Sequence, residues 1–116
     1  MPVEFSRRDI MESVLLRPML LHLYFSDDGG VPEEVAGAGY APKPLLRDDF
    51  MLDASGQSAT FKARFWFGGS LGRPVRGYYL TRPGSDAILY ANSFPGDGYD
   101  VWRLGDTIEI EDTLRF

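Results

Sequence analysis

The last eleven residues of the chain, 106 to 116, alternate between apolar and polar side chains. Ile108, Ile110, Leu114 and Phe116 fall on one face of an extended strand, and threonine, glutamate and arginine side chains fall on the other. Because the side chains of a strand point to opposite faces with period two, the pattern predicts a strand with one face on a core and one in solvent. A β-sheet is therefore predicted as the organising core of the protein.

Two further segments show the same period, residues 19 to 25 and residues 59 to 67. Their predicted inner faces carry Leu21, Leu23 and Phe25 in the first segment and Phe61, Ala63, Phe65 and Phe67 in the second. On the second segment, Thr60, Lys62, Arg64 and Trp66 point the other way. Both patterns predict strands that cover one core.

The remaining segments complete an all-β pattern. Residues 75 to 81 and 87 to 94 are predicted to form a hairpin, since the Pro-Gly pair between them is typical of a turn, and residues 99 to 104 a short strand. The proline-rich acidic stretch 31 to 49 is predicted to be a surface loop. It has strand-like pieces near 40–41 and 45–46, which would form an edge strand at most. Strands about ten residues apart predict an antiparallel β-sandwich or jelly roll.

A short amphipathic helix is predicted at residues 7 to 17. Ser6 has the character of an N-cap, Ile10, Met11, Val14 and Leu15 recur on one helical face, and Pro18 ends the pattern. The sequence thus predicts a helical arm over residues 1–18 and a single β-sandwich domain over residues 19–116. The apolar face of the helix either packs on its own domain or docks on a neighbouring subunit.

Composition excludes several classes of protein. The chain has 116 residues, which is enough for one domain with a real core, and it has no cysteine, so disulfides and thiolate metal sites are excluded. Acidic residues outnumber basic ones by 17 to 12, for a net charge of -5, which argues against a nucleic-acid partner. The longest apolar runs are too short to cross a membrane, and the first residues lack the pattern of a signal peptide.

Candidate chemistry is sparse. His22 is the single histidine, and one histidine cannot build the usual metal cluster or, without a partnered nucleophile, a catalytic triad. We therefore predict that His22 is a satisfied structural or surface histidine, with no cofactor and no enzymatic activity. Trp66, Tyr78, Tyr90 and Trp102 are candidates for an outward, sugar-stacking aromatic surface. The alternative is that these aromatics serve a sandwich core or a subunit interface.

Five segments, in order, resemble a known group of proteins. They read LHLYFSDD at 21–28, GAGYA at 37–41, VRGYYLT at 75–81, ILYANSF at 88–94 and GDTIEI at 105–110. In this order the chain is similar to a family of small tailed-bacteriophage virion structural proteins, whose members run LHLYxND, GGYA, GYYVTD, LLWAERF and GDTLTV. The resemblance covers residues 10 to 116. Arg82 replaces a common aspartate and Asn92 a common glutamate, and the family has no catalytic motif that these changes would affect.

The resemblance implies a virion component with a β-sandwich fold. We expect a capsid decoration (cement) protein that self-associates and binds the major capsid protein, or else a tail, collar or fibre-attachment protein. A glycan-binding module that uses the outward aromatics is the alternative of another class. The predicted contact residues lie on the helix, in the proline-rich loop and among the exposed aromatics: Ile10, Met11, Val14, Tyr40, Pro42, Pro44, Trp66 and Trp102.

Overall fold

Antiparallel strands make up nearly half of the described chain, which is mainly β. A computed structural model describes residues 14–27, 30–54 and 56–115. Its strands are β1 (Met19–Ser26), β2 (Glu33–Glu34), β3 (Lys43–Leu45), β4 (Phe50–Leu52), β5 (Ser58–Trp66), β6 (Gly77–Thr81), β7 (Ile88–Ser93) and β8 (Thr107–Arg115). Every pairing between them is antiparallel. The predicted fold class, mainly β with antiparallel sheets, is confirmed.

The strands form two sheets, which we call sheet A and sheet B. Sheet A has the order β2-β1-β6-β7, and β3 pairs with β1 on the edge that β2 also occupies. Met19 to Leu21 of β1 pair with β3, whereas Tyr24 and Ser26 pair with β2. Sheet B has the order β4-β5-β8, with β5 and β8 in unbroken register over nine residue pairs. The predicted hairpin of β6 and β7 is confirmed.

The core lies between the two sheets. The alternation read from the sequence is confirmed for the described residues, because the predicted inward side chains are buried, apart from Ala63, which is partly buried. Phe116, predicted on the same face of β8, lies outside the described residues. Phe61 of sheet B meets Tyr78 of sheet A edge to face, with ring centroids 6.0 Å apart. Packing of apolar side chains from both sheets removes them from water, and this burial is the main force that holds such a sandwich together.

The two sides of the sandwich differ. On one side β3 reaches across to sheet B, where the Lys43 ammonium donates a 2.6 Å hydrogen bond to the Arg64 carbonyl of β5. On the other side β7 ends sheet A and β8 ends sheet B. There Asp112 of β8 accepts hydrogen bonds of 3.1 Å from both Tyr90 and Asn92 of β7. We call this second side the open side, because both sheets end there without a further strand among the described residues.

The predicted N-terminal helix lies largely outside the described residues, and so do Ile10 and Met11. Val14 and Leu15 are helical, and the Leu15 side chain is fully buried in the core. This end of the chain is held by Arg82, whose guanidinium donates hydrogen bonds to the carbonyls of Val14, Arg17 and Pro18.

The structure corrects the predicted strand at residues 99 to 104. Only an isolated bridge between Tyr99 and Val75 forms there. The physical reason is Asp106, whose carboxylate accepts the backbone amides of Trp102 and Arg103 and so holds them in a turn. In the stretch 31 to 49 the strand-like piece predicted near 45–46 corresponds to β3, which begins at Lys43, whereas the piece predicted near 40–41 is wrong and the strand β2 at 33–34 was not predicted. Both β2 and β3 lie on the edge of sheet A, as expected for a proline-rich segment.

Candidate functional site

Three large apolar side chains project into solvent at one end of the sandwich. Trp66 is 61% exposed, Trp102 71% and Leu104 79%, and we call these three residues the aromatic end. Backbone hydrogen bonds bring them together, because Phe67 donates to the Asp106 carbonyl (3.0 Å) and accepts from the Gly105 amide (2.9 Å). The end of β5 and the turn before β8 therefore form one surface.

Trp66 points outward because of its phase in β5. It follows Lys62 and Arg64 on the solvent face of sheet B, whereas Phe61 and Phe65 point inward. Two cations lie against its ring, the Lys43 ammonium 5.6 Å and the Arg64 guanidinium 5.5 Å from the centroid. Such cation–π contacts restrain the indole and supply positive charge beside it.

The turn that carries Trp102 is fixed by one carboxylate. Asp106 accepts the amide of Trp102 at 2.9 Å and that of Arg103 at 3.2 Å, and its own amide donates to the Arg103 carbonyl. This side-chain-to-backbone bonding is the usual way in which an aspartate stabilises a turn. The exposed indole of Trp102 is thus presented on a restrained backbone.

Charged side chains alternate on the solvent face beside the aromatic end. Lys62 lies opposite Glu111, and Arg64 lies opposite and pairs with Glu109. A shallow depression of about 450 Å³ runs between them and reaches Trp66. Exposed ion pairs of this kind add little to stability, about 0–1 kcal/mol each. Their arrangement instead sets the charge pattern that a partner would meet.

The other predicted contact residues are scattered. Pro44 is exposed within β3, Pro42 is half-buried just before it, and Val14 is half-buried near the start of the described chain. Tyr40 packs against Phe65 with centroids 5.9 Å apart. The structure therefore brings Trp66 and Trp102 to one end, whereas Tyr40 packs inward on Phe65. Lys43, which lies between Pro42 and Pro44, contacts the Trp66 ring.

Two aromatics predicted as outward candidates point elsewhere. Tyr78 is buried in the core, because β6 is the central strand of sheet A and is covered on both faces. Tyr90 is half-buried and donates its hydroxyl to Asp112 on the open side. Of the four candidates for a sugar-stacking surface, only Trp66 and Trp102 are strongly exposed.

A second site centres on the single histidine. His22 Nδ1 lies 2.6 Å from Glu34 Oε2, and His22 Nε2 lies 2.8 Å from Thr81 Oγ1. The imidazole stacks on the Tyr79 ring, with centroids 4.5 Å apart and 7° between the planes. Tyr40 donates to the same Glu34 oxygen at 2.7 Å and accepts the Leu23 amide at 3.0 Å. We call these side chains, His22, Glu34, Tyr40, Tyr79 and Thr81, the His22 cluster.

The His22 cluster has the atom order of a hydroxyl–imidazole–carboxylate relay. Thr81, however, is only 3% exposed, so its hydroxyl is shielded from a substrate. Both imidazole nitrogens have partners whether His22 is neutral or protonated, since the threonine hydroxyl can donate or accept. This arrangement is suited to a structural role, because its side-chain hydrogen bonds link β1, β2 and β6.

Burial controls the titration of the tyrosines in this cluster. It raises the pKa of the Tyr79 hydroxyl to about 12, and the negative charges of Glu34 and Asp86 add to the effect. It also raises the pKa of Tyr40 far above its usual value, partly offset by the hydrogen bond from the Leu23 amide. A phenol that loses solvent holds its proton more tightly, because the phenolate loses more hydration than the neutral form.

His22 was predicted to be a structural or surface histidine, and the sequence did not reveal its partners. Glu34 lies 12 residues and Thr81 59 residues away along the chain. No local spacing signals such a contact, since it depends on β2 and β6 flanking β1. The only available signal was that His22 alternates with buried leucines on β1, which places it on the opposite face of the strand.

Comparisons with family models, with curated proteins and with solved structures find no match for this chain. Among the described residues, no group of three or more histidine and carboxylate side chains is placed to hold a metal ion. Over the same residues, no helix has the length and apolar character needed to cross a membrane.

Proposed function

We propose that this chain is a non-enzymatic structural protein of a bacteriophage virion, and specifically a capsid decoration (cement) protein that stabilises the head shell. The observation that carries the proposal is the ordered resemblance of five segments to small tailed-bacteriophage structural proteins. Those segments coincide with framework elements: β1, the 37–41 turn, β6, β7 and the start of β8.

The His22 cluster supports a structural role over a catalytic one. Its hydroxyl is buried, and its carboxylate already accepts hydrogen bonds from His22 and Tyr40. A catalytic base must be able to reach the proton it abstracts from a substrate. The cluster instead ties the 31–41 segment to the centre of sheet A.

The aromatic end is our candidate for the contact with the shell. An exposed patch of Trp66, Trp102 and Leu104 offers large apolar area beside charged side chains, the composition typical of interface anchors. A decoration protein occupies many equivalent positions, so weak contacts add by avidity when copies also contact each other. The helix residues Ile10, Met11 and Val14 and the loop residues Tyr40, Pro42 and Pro44 are secondary candidates.

The copy number of the protein in purified particles tests the proposal. Quantitative mass spectrometry against the major capsid protein should give a count comparable to that of the capsid subunits. A count of a few to a few dozen would replace the decoration role with a tail, collar or fibre-attachment role. Absence from particles would contradict a virion role altogether.

A mutational test then separates the candidate contacts. In particles reconstituted with purified protein, Trp102→Ala should reduce binding to the shell at least about tenfold, as expected for an interface anchor. Met51→Ala on β4 removes an apolar side chain that is 78% exposed and lies outside the candidate contacts, so it serves as the matched control and should bind normally. Loss of binding by Ile10→Asp alone would move the contact to the helix.

A second candidate function is glycan binding, which the exposed indole of Trp102 favours. Sugar rings stack on exposed aromatic faces, and the Trp66 ring already has Lys43 and Arg64 against it. Binding to a glycan array that Trp102→Ala abolishes while folding survives would support this role. An empty array, together with a high copy number in the particle, would leave the decoration role standing.

A further inference from the structure

The outer edge of β8 is the longest uninterrupted strand edge among the described residues. Its nine residues, Thr107–Arg115, contain no proline, glycine or lysine, and they stay in continuous register with β5. The other sheet edges in the described chain are short or interrupted: β3 contains Pro44, β4 has three residues, and β7 has six with a register shift against β6. Soluble proteins normally blunt such an edge, because it can pair with another strand.

The backbone groups of β8 that point away from β5 can be assigned. The Thr113 amide donates to the side chain of Asp112 at 2.7 Å, so it does not belong to the ladder with β5. Successive residues of a strand direct their amides and carbonyls to opposite edges. The groups of Thr107, Glu109, Glu111, Thr113 and Arg115 therefore face the open side.

The same odd-numbered residues carry the solvent-facing side chains of β8. Glu109 and Glu111 are acidic, whereas Arg115 at the far end is basic, and all three are exposed. This gradient of charge along the strand is complementary to itself when two copies run antiparallel. Opposite charges across a strand pair are favourable, and like charges directly opposite are unfavourable.

We propose that β8 pairs antiparallel with β8 of a second copy, to give a symmetric dimer with one continuous six-stranded sheet. In the register that we infer, Glu109 lies opposite Arg115 and Glu111 lies opposite Thr113, each pair occurring twice by symmetry. The axis then passes between the two copies of Asp112, which lie directly opposite each other, and each carboxylate keeps the hydrogen bonds that it accepts from Tyr90 and Asn92. The Thr113 amide exchanges its bond to Asp112 for one to the carbonyl of Glu111 in the second copy.

Neighbouring registers are less favourable. Sliding the partner by two residues in one direction places Glu111 opposite its own copy, Glu109 opposite Thr113 and Arg115 opposite Thr107, so that no pair of opposite charges remains. Sliding it by two in the other direction keeps only five residues paired. The inferred register therefore combines seven paired residues with two pairs of opposite charge.

Strand β7 enlarges the interface. It lies beside β8 on the open side, and its Ile88 and Leu89 are exposed. A two-fold axis perpendicular to both sheets would bring the two copies of β7 together as well. One strand edge alone falls below the area of about 1,200 Å² that stable interfaces bury, so this second contact matters to the affinity.

Analytical ultracentrifugation of the purified chain tests the proposal independently of any virion role. The wild-type protein should form a reversible dimer. Glu111→Pro removes a free-edge amide and no β5 ladder bond, so the fold should survive while the dissociation constant rises about ten- to hundredfold. Arg115→Glu should weaken the dimer without a proline, and Arg17→Glu is the control with the same charge change elsewhere. A wild-type chain that stays monomeric at high micromolar concentration would overturn the proposal.

Disulfide trapping tests the register. The chain has no cysteine, so Glu111→Cys and Thr113→Cys each introduce a single thiol. Directly opposite residues lie within the Cα separation of about 4.4–6.8 Å that a disulfide needs. An oxidised mixture, with one variant labelled with ¹⁵N, should give the mixed 111–113 disulfide, and neither variant alone should cross-link. Efficient cross-linking of Glu111→Cys with itself would overturn the inferred register.

Discussion

Gly77 occupies a position in β6 where the sheet leaves no room for a side chain. A β-carbon there would overlap the carbonyl oxygen of Asn92 on β7 and the ring of Tyr24 on β1. Backbone can yield only by disturbing both strand pairings. Gly77→Ala should therefore lower the free energy of unfolding by about 1–3 kcal/mol, measured by urea titration. Gly69→Ala, at a glycine with open space around it, should change it by less than about 0.5 kcal/mol; equal losses would contradict the packing argument.

Tyr78 and Tyr90 form a matched pair of residues with opposite expected behaviour. Among the described residues, the Tyr78 hydroxyl is buried and has no hydrogen-bond partner, whereas the Tyr90 hydroxyl donates to Asp112. Removing an unpaired buried hydroxyl relieves its desolvation cost, so Tyr78→Phe should leave stability unchanged or raise it by up to about 1 kcal/mol. Tyr90→Phe should lower it by about 1 kcal/mol. Urea unfolding of both variants measures these changes, and a similar loss of stability in both would contradict the hydrogen bonding assigned to the two hydroxyls.

At the scale of elements, Arg82 joins the β6–β7 hairpin to the N-terminal end of the described chain. Its guanidinium donates to three carbonyls, and burial and the charge of Arg17 lower its pKa from the usual arginine value. Arg82→Ala should lower the free energy of unfolding by about 1–2 kcal/mol and speed hydrogen exchange at Leu15. Arg82→Lys keeps the positive charge but lacks the planar guanidinium, so its free energy of unfolding should lie between those of the wild-type protein and Arg82→Ala.

The control for this anchor is Arg103→Ala. Arg103 is strongly exposed, and its Nε lies 3.7 Å from Asp106, so its removal should cost less than about 0.5 kcal/mol. If exchange at Leu15 were unchanged in Arg82→Ala, the hydrogen bonds to Val14, Arg17 and Pro18 would not be what holds this end.

Strand prediction succeeded where burial is one-sided. In β1, β5 and β8 one face meets the core and the other meets solvent or polar partners, so the period-two pattern is visible in the sequence. It failed for Tyr78 because β6 is buried on both faces and alternation then carries no information. Strands β2 and β4 have two and three residues, too few to show a period.

The candidate sites were only partly predictable for a related reason. The exposure of Trp66 follows from its phase in β5, which the sequence reveals. The convergence of Trp66 with Trp102 depends on the backbone bonds of Phe67 to residues 105 and 106, and the His22 cluster depends on which strands flank β1. Contacts between residues distant in sequence are set by topology, which periodicity does not determine.

At the scale of the whole molecule, buried tyrosines make stability depend on alkaline pH. Burial raises the pKa of Tyr24, of Tyr40 and of Tyr79, the last to about 12, above the ordinary value of 10.0. Between these values the unfolded chain releases phenolic protons that the folded chain retains. The stabilising effect of keeping the tyrosines neutral is therefore complete below pH 10 and is lost as the pH rises through the folded-state values.

We accordingly expect the contribution of these tyrosines to the free energy of unfolding to be constant up to about pH 9 and to fall from pH 10 upward. The slope for each tyrosine should be a few tenths to about 1 kcal/mol per pH unit, once solvent screening is allowed for. Urea unfolding followed by tryptophan fluorescence at pH 8, 9, 10 and 11 measures it. Tyr79→Phe keeps the ring stacked on His22 and should flatten the slope, whereas Tyr99→Phe, at an exposed tyrosine, should leave it unchanged. A profile that stays level to pH 11 would show that these tyrosines are solvated in the folded protein, and with them that the His22 cluster is open to water.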